Sequence, residues 1–258
     1  MNLNVQSAFS LKGKNVIITG ASSGIGKACA IACSEAGANV FLIARDKNRL
    51  EETLRSLSEG NHTYLSFDLS NVNEISSIIS DYTKNYGPLY GLIHSAGIEN
   101  TIPLQFCNAE TYIEMFKINV VAGFELAKCL SKKTNCDISI GASYIFISSV
   151  MGTLGQEGKT AYSSSKGALI SGAKSMAIEL ARKSIRVNTI SPAIVETEMT
   201  KKMFETLPQE SYNKIKEMHP LGFGCPEDVA FASVYLLSDA SRWVTGTNLI
   251  IDGGYSAK

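Results

Sequence analysis

Short apolar runs alternate along the chain with longer stretches of helical periodicity. The runs NVIIT (15–19), NVFLIA (39–44), TYLSF (63–67), LYGLIH (89–94), SYIFIS (143–148), IRVNTI (185–190) and NLIID (248–252) are rich in β-branched and aromatic residues. In several of them apolar residues occupy consecutive rather than alternate positions, as in a strand covered on both faces. Seven such runs with intervening helices predict a doubly wound α/β fold, a parallel sheet with helices on both faces. Right-handed crossovers then gather the C-terminal strand ends on one edge. Gly20, Arg45, Asp68, His94, Ser149 and Ser191, each at or just past a strand end, are expected around one cleft.

No internal repeat, low-complexity segment or Pro/Ser-rich linker divides the pattern, so a single domain over 1–258 is expected. The chain has 24 basic and 24 acidic residues. That balance argues against a nucleic-acid partner, and the pairs Lys132-Lys133 and Lys201-Lys202 read as solvated positions. No apolar run approaches the roughly 20 residues of a membrane span. The first residues, MNLNVQSAFSLKGK, lack the order of a secretory signal, so a cytoplasmic, reduced protein is expected. Cys29 and Cys33 lie one helical turn apart without a further ligand at zinc spacing, and His62, His94 and His219 are scattered. No metal site is expected.

The first strand runs directly into Thr19-Gly20-Ala21-Ser22-Ser23-Gly24-Ile25-Gly26, where glycines precede an amphipathic stretch. Glycines between a strand and a helix permit a tight turn. They also let a pyrophosphate approach the free N–H groups of the helix N-terminus. The spacing G-x-x-x-G-x-G departs from the G-x-G-x-x-G fingerprint, so on this stretch alone a structural turn stays open beside a cofactor loop.

Taken with YSSSK (Tyr162–Lys166), the TGxxxGIG stretch resembles the short-chain dehydrogenase/reductase family in its single-domain, Rossmann-type branch. The likeness runs on through Asp68, HSAG (94–97), Asn119 in KINV, Ser149 in FISSV, SPAIVETEM (191–199) and LIIDGGYS near the C-terminus. The pattern is most similar to 3-oxoacyl-[acyl-carrier-protein] reductases and related carbonyl reductases. The resemblance implies a nicotinamide cofactor held by Gly20, Ser22, Ser23, Gly24, Ile25, Gly26, Arg45, Asp68, Leu69, Ser95, Ala96, Gly97, Tyr162, Lys166, Pro192, Val195 and Thr197. Family members that use NAD usually carry an acid at the end of the second strand. Here Ala44 stands there and Arg45 follows, so NADP(H) is expected over NAD(H), a guanidinium pairing with the 2′-phosphate. Asp46 is expected to cap the next helix instead.

The same resemblance gives Asn119, Ser149, Tyr162 and Lys166 as catalytic residues. Tyr162 would protonate the developing alkoxide, and Ser149, 13 residues earlier, would hold the substrate oxygen. Lys166, one helical turn beyond Tyr162, would lower the phenol's pKa and bond the nicotinamide ribose. Asn119 would anchor a water between Lys166 and solvent. Spacing selects Ser149 over Ser148.

The substrate wall is expected from Met151, Leu154, Gln156 and Glu157, beside Ser149 and Tyr162. A lid is expected over Thr197–Met218, with Met199, Met203, Phe204 and Leu207 at helical spacing. Ser95 and Ala193 stand where the family has Asn and Gly. PLGFGCPEDVA (220–230) lacks the arginine that follows PLG in many members, which leaves Arg182 and Lys183 as bases for an acidic acyl carrier. The expected activity is therefore NADPH-dependent reduction of a ketone, with a 3-oxoacyl thioester one candidate. Dehydrogenation of a sugar or polyol is the alternative, and a non-catalytic NADP-binding protein is a third reading. A helix over about 161–182 carries a stripe formed by Ala168, Leu169, Gly172, Ala173, Met176 and Leu180. Its width, with the assembly habit of the family, predicts a symmetric homotetramer, with a homodimer the alternative.

Overall fold

A computed structural model describes residues 4–205 and 207–257. Its sheet has seven parallel strands, β1 (Asn15–Thr19), β2 (Asn39–Ala44), β3 (Thr63–Ser66), β4 (Gly91–His94), β5 (Ala142–Ile147), β6 (Ile185–Pro192) and β7 (Asn248–Ile251). Their order is β3-β2-β1-β4-β5-β6-β7. The helices are α1 (Val5–Phe9), α2 (Gly24–Glu35), α3 (Lys47–Arg55), α4 (Ile75–Tyr86), α5 (Ala109–Phe116), α6 (Ala122–Leu130), α7 (Thr160–Leu180), α8 (Glu198–Glu205), α9 (Gln209–Glu217) and α10 (Pro226–Leu237). The chain order reverses direction between β1 and β4, and that switch point opens the crevice for a ligand.

Consecutive apolar residues in each strand serve two separate cores. Ile17, Phe41, Leu92, Tyr144 and Val187 point to one face and pack against α4, α6 and α7. Val16, Val40, Ile93, Ile145 and Ile190 point to the other and meet α2 and α10. This explains why the strands do not read as alternating patterns. The expected strands all form, with end shifts of one or two residues. β4 begins at Gly91, because Leu89 and Tyr90 instead bond the backbone of Asn135 and Asn15. β6 runs on through Ser191 and Pro192 because Ile250 and Ile251 of β7 continue the pairing.

Asp46 caps α3 as expected, its carboxylate accepting from the Arg49 N–H at 3.1 Å. Cys29 and Cys33 are buried on α2 as small apolar residues, and burial pushes the Cys29 thiol up to about 12. Among the described residues no cluster of His, Cys, Asp and Glu could hold a metal. None of the described helices is long and apolar enough to cross a membrane.

On α7 the expected stripe splits. Leu169, Ala173 and Leu180 are buried against the sheet, while Ala168, Gly172 and Met176 are half-buried beside α6. A Cβ on Gly172 would stand 2.4 Å from Phe124 Cζ, so part of the small-residue face is taken up within the chain. The expected lid segment folds as α8 and α9, where Phe204 stacks on Phe223 with ring centroids 5.0 Å apart. The side chains of Met199 and Met203 lie outside the described residues.

Candidate active site

A cleft of about 530 Å³ opens at the C-terminal ends of β1, β2, β4 and β5. Its floor is the turn from β1 into α2. Gly20 has φ +68°, and a Cβ there would meet the Ala96 N at 2.9 Å. A Cβ on Gly26 would stand 2.2 Å from the Gly20 carbonyl oxygen, so α2 can cross this turn only without a side chain. Ser23 at the N-cap makes no side-chain cap, which leaves the first N–H groups of α2 for a ligand. These features fit a dinucleotide pyrophosphate.

Of the expected cofactor residues, Gly20, Ser22, Ser23, Gly24, Ile25, Gly26, Arg45, Asp68, Leu69, Ser95, Ala96, Gly97, Tyr162, Lys166, Pro192 and Thr197 all line the cleft. Val195 does not. It is buried, and its backbone bridges to Gly224. Asp68 accepts from the Ser70 N–H at 2.9 Å, and this bond holds its carboxyl below the ordinary value.

His94 and Ser191 are also absent from the cleft wall, contrary to expectation. Ser191 is buried and donates to Asn248 Oδ1 at 2.7 Å. His94 is buried beneath Gly123, with Nδ1 3.0 Å from Thr19 Oγ1 and Nε2 3.2 Å from the Ile118 carbonyl oxygen. Thr19 Oγ1 in turn accepts from the Ala96 N–H at 3.1 Å, so the chain of bonds needs a neutral ring with its proton on Nε2. His94 thus braces the Ser95–Gly97 loop from behind.

Burial, with the Lys166 charge second, pulls the His94 pKa down to about 4. An unfolded histidine titrates near 6.5, so between the two values the unfolded chain binds the extra proton. Stability is complete above about pH 6.5 and falls as the pH drops toward 4, by roughly 3 kcal/mol at the lower end. Urea titrations across this range should show that loss in the wild type and a much smaller one in His94→Asn. A parallel loss in both proteins would refute the assignment.

Tyr162 and Lys166 share one face of α7, with Lys166 Nζ 5.6 Å from the Tyr162 ring centroid. Nζ donates to the Ile147 carbonyl oxygen at 2.8 Å. Ser148 Oγ donates to the Lys166 carbonyl oxygen at 2.8 Å, whereas Ser149, whose Oγ accepts from the Met151 N–H at 3.2 Å, lines the cleft with Tyr162. The two adjacent serines therefore divide the work, and the 13-residue spacing identifies the one beside the phenol.

The expected direction of the Tyr162 shift is reversed. Burial, with the Glu99 charge second, pushes the phenol above its ordinary value, and the Ser149 hydroxyl only partly offsets this. Burial also brings Lys166 down to about 8, which weakens the ammonium that was to favour a phenolate.

Asn119 is fully buried in a π-helical turn, Lys117–Val121, between α5 and α6. Its amide accepts from the Ile98 N–H at 2.8 Å and donates to the Ile98 carbonyl and Ser165 Oγ, both at 3.0 Å. The side chain thus ties the loop after β4 to α7. Of the expected substrate residues, only Ser149 and Tyr162 line the cleft. Met151 is buried in the turn after β5, and Leu154 and Gln156 are exposed beyond it. Sequence reasoning missed Arg49, which lines the cleft one helical turn past Arg45 and pairs with Glu198 at 2.6 Å. It also missed Ile98, whereas Ala193, noted as standing where the family has Gly, does line the cleft; for Arg49 the i, i+4 spacing from Arg45 was the available signal.

A parallel sheet with a glycine-floored crevice at its switch point, and a Ser, Tyr and Lys at one end, has the form of a dinucleotide-dependent oxidoreductase. The chain belongs to the short-chain dehydrogenase/reductase family, and the family model that matches it, over residues 20–256, is described as enoyl-(acyl carrier protein) reductase. A 3-oxoacyl-[acyl-carrier-protein] reductase of Thermotoga maritima is 32% identical over 251 residues, covering 95% of this chain and 98% of that protein. An NAD-dependent glycerol dehydrogenase of Listeria innocua is 31% identical over 251 residues, covering 97% and 96%. A gluconate 5-dehydrogenase from Burkholderia cenocepacia, solved with NADP and tartrate, superposes with a TM-score of 0.90 at 25% identity, covering 99% and 100%. The family binds a nicotinamide cofactor and acts on secondary alcohol and ketone groups.

Proposed function

We propose that this chain is an NADPH-dependent reductase that converts a ketone to a secondary alcohol, with cofactor and substrate sites on one domain. The observation that carries this reading is the half-buried Tyr162 phenol in the cleft wall, with Ser149 in the same lining and Lys166 Nζ 5.6 Å from its ring centroid. A phenol there holds its proton at neutral pH and can give it to a carbonyl oxygen that becomes a still more basic alkoxide. Ser149 donates to the same oxygen and fixes its position. Bound NADPH supplies the hydride. Asn119 keeps the loop 95–98 and α7 in register, and Lys166 Nζ, near Gly97, is within reach of a nicotinamide ribose. Arg45 at the far end of the cleft supports the phosphorylated cofactor.

The decisive experiment follows NADPH oxidation at 340 nm against a panel that includes 3-oxoacyl thioesters, hydroxylated ketones and simple ketones. Turnover of at least one class supports the reading, and NADPH binding without turnover of any would favour a non-catalytic protein. Dehydrogenation of a sugar or polyol is the second reading, favoured by one pair of charged residues treated below.

A homotetramer is part of the same proposal. Ile113, Val121 and Ile178 leave apolar surface on the α5–α7 side, with Ile178 82% exposed. Phe231 on α10 and Ile250 on β7 leave apolar surface elsewhere on the chain, 63% and 45% exposed. Separate apolar surfaces suit two isologous interfaces. Light scattering at micromolar concentration should give four times the chain mass, and a monomer would refute this.

A further inference from the structure

Glu99 and Lys159 form an ion pair beside the reacting groups, although 60 residues separate them in the chain. Lys159 is buried, with 8% of its side chain accessible, and its ammonium lies 5.8 Å from the centroid of the Tyr162 ring. Glu99 follows the cleft residues Gly97 and Ile98 directly, and 31% of its side chain is accessible. The accessible part of the pair is therefore the carboxylate, while the ammonium is committed beneath it. Only one carboxylate oxygen is used by Lys159, and a carboxylate has room for further donors.

The pair is held from both sides. Asn119 grips both backbone groups of Ile98, which sets the direction in which Glu99 leaves the chain. The Ile102 N–H donates to the Gly158 carbonyl oxygen at 2.9 Å, which zips the loop after β4 to the segment preceding α7. Glu99 is close enough to raise the pKa of both Tyr162 and Lys166, so it lies within the field of the reacting atoms.

Glu99 stands just outside the cleft lining, past Ile98, so a substrate whose ketone oxygen rests on Ser149 and Tyr162 meets this acceptor with the part that extends beyond its reacting carbon. A carboxylate there attracts hydroxyl donors and disfavours an anionic group, whose natural partner, the Lys159 ammonium, is already taken. We infer that Glu99, positioned by Lys159, is a specificity residue that selects a neutral ketone bearing a neighbouring hydroxyl, as in a ketose or the ketone of a polyol, over a carboxylated ketone.

The inference rests on the cleft being a ketone-reduction site, and the test separates the two ideas. Dihydroxyacetone and acetoacetate serve as probes, each assayed for kcat/KM with NADPH and with NADH. The wild type should prefer dihydroxyacetone by at least about tenfold, the worth of one charged hydrogen bond. In Glu99→Gln the acceptor is weakened and the Lys159 ammonium released, so the ratio of the two kcat/KM values should fall by at least about 100-fold. A purely structural role would depress both substrates together and leave that ratio within threefold, which would overturn the inference. So would a wild-type preference for acetoacetate. Should Glu99→Gln fail to fold because it strands a buried ammonium, Glu99→Gln/Lys159→Gln removes both charges. The ratio must then still fall by at least about tenfold, and an unchanged ratio overturns the inference. A wild type that binds NADPH but reduces no ketone with either nicotinamide overturns the proposed function and this inference with it.

Discussion

Tyr162→Phe should lower kcat by roughly 10²- to 10⁴-fold on any ketone the wild type reduces, the range expected for loss of a positioned general acid. The phenyl ring retains the packing of Tyr162 on α7 and its place near the two ammonium groups, so the cleft keeps its shape. Only the phenolic hydroxyl, the proton donor beside Ser149, is lost. Fluorescence titration should therefore give an NADPH affinity little changed from wild type, and the defect should appear in kcat rather than in cofactor binding. Retention of most of the activity would show that the proton comes from elsewhere.

Arg45→Asp should weaken NADPH binding by about 10- to 100-fold, the worth of a charged hydrogen bond to phosphate, while NADH binding changes far less. Arg45 is exposed at the end of β2 and lines the cleft, and its carbonyl oxygen accepts from Ser66 Oγ at 2.7 Å. That bond fixes the backbone, so the substitution alters charge without moving the strand end. Arg49 also lines the cleft and spends one N–H on Glu198, so Arg45→Asp/Arg49→Ala should weaken NADPH binding further than the single substitution. The relatives include both an NAD-dependent glycerol dehydrogenase and a gluconate 5-dehydrogenase solved with NADP, so the fold by itself does not set the nicotinamide. Equal wild-type affinities for the two cofactors would refute the assignment.

The strands were legible because both faces of the sheet are buried. Residues such as Val16, Ile17 and Ile18 can all be apolar only if helices lie above and below. The glycine turn and the Tyr162–Lys166 pair were legible because each is local, spanning about one or two helical turns. Strand ends alone misled for His94 and Ser191, since a side chain at such an end can face a core instead of the crevice. Alternation along the strand decides which, and the slip of one residue reverses it. The reversed shift at Tyr162 has another cause. Sequence shows a lysine one turn away but not how much water the fold removes, and desolvation is the larger influence. Pairs joined only by the fold, Glu99 with Lys159 and Arg49 with Glu198, have no spacing that could announce them.

Three consecutive residues at the end of β5 carry a mechanical consequence. Ile147 receives the Lys166 ammonium, Ser148 holds the Lys166 backbone carbonyl, and Ser149 lines the cleft with Tyr162. The strand thus clamps one lysine at its tip and at its root, and the next residue inherits that alignment. The spacing of the reacting hydroxyls is consequently built into the junction of a strand and a helix and asks nothing of the loops around it. Segments such as 197–218 are free to diversify in length and chemistry, and with them the choice of molecule admitted, without the proton-transfer apparatus needing to be tuned afresh.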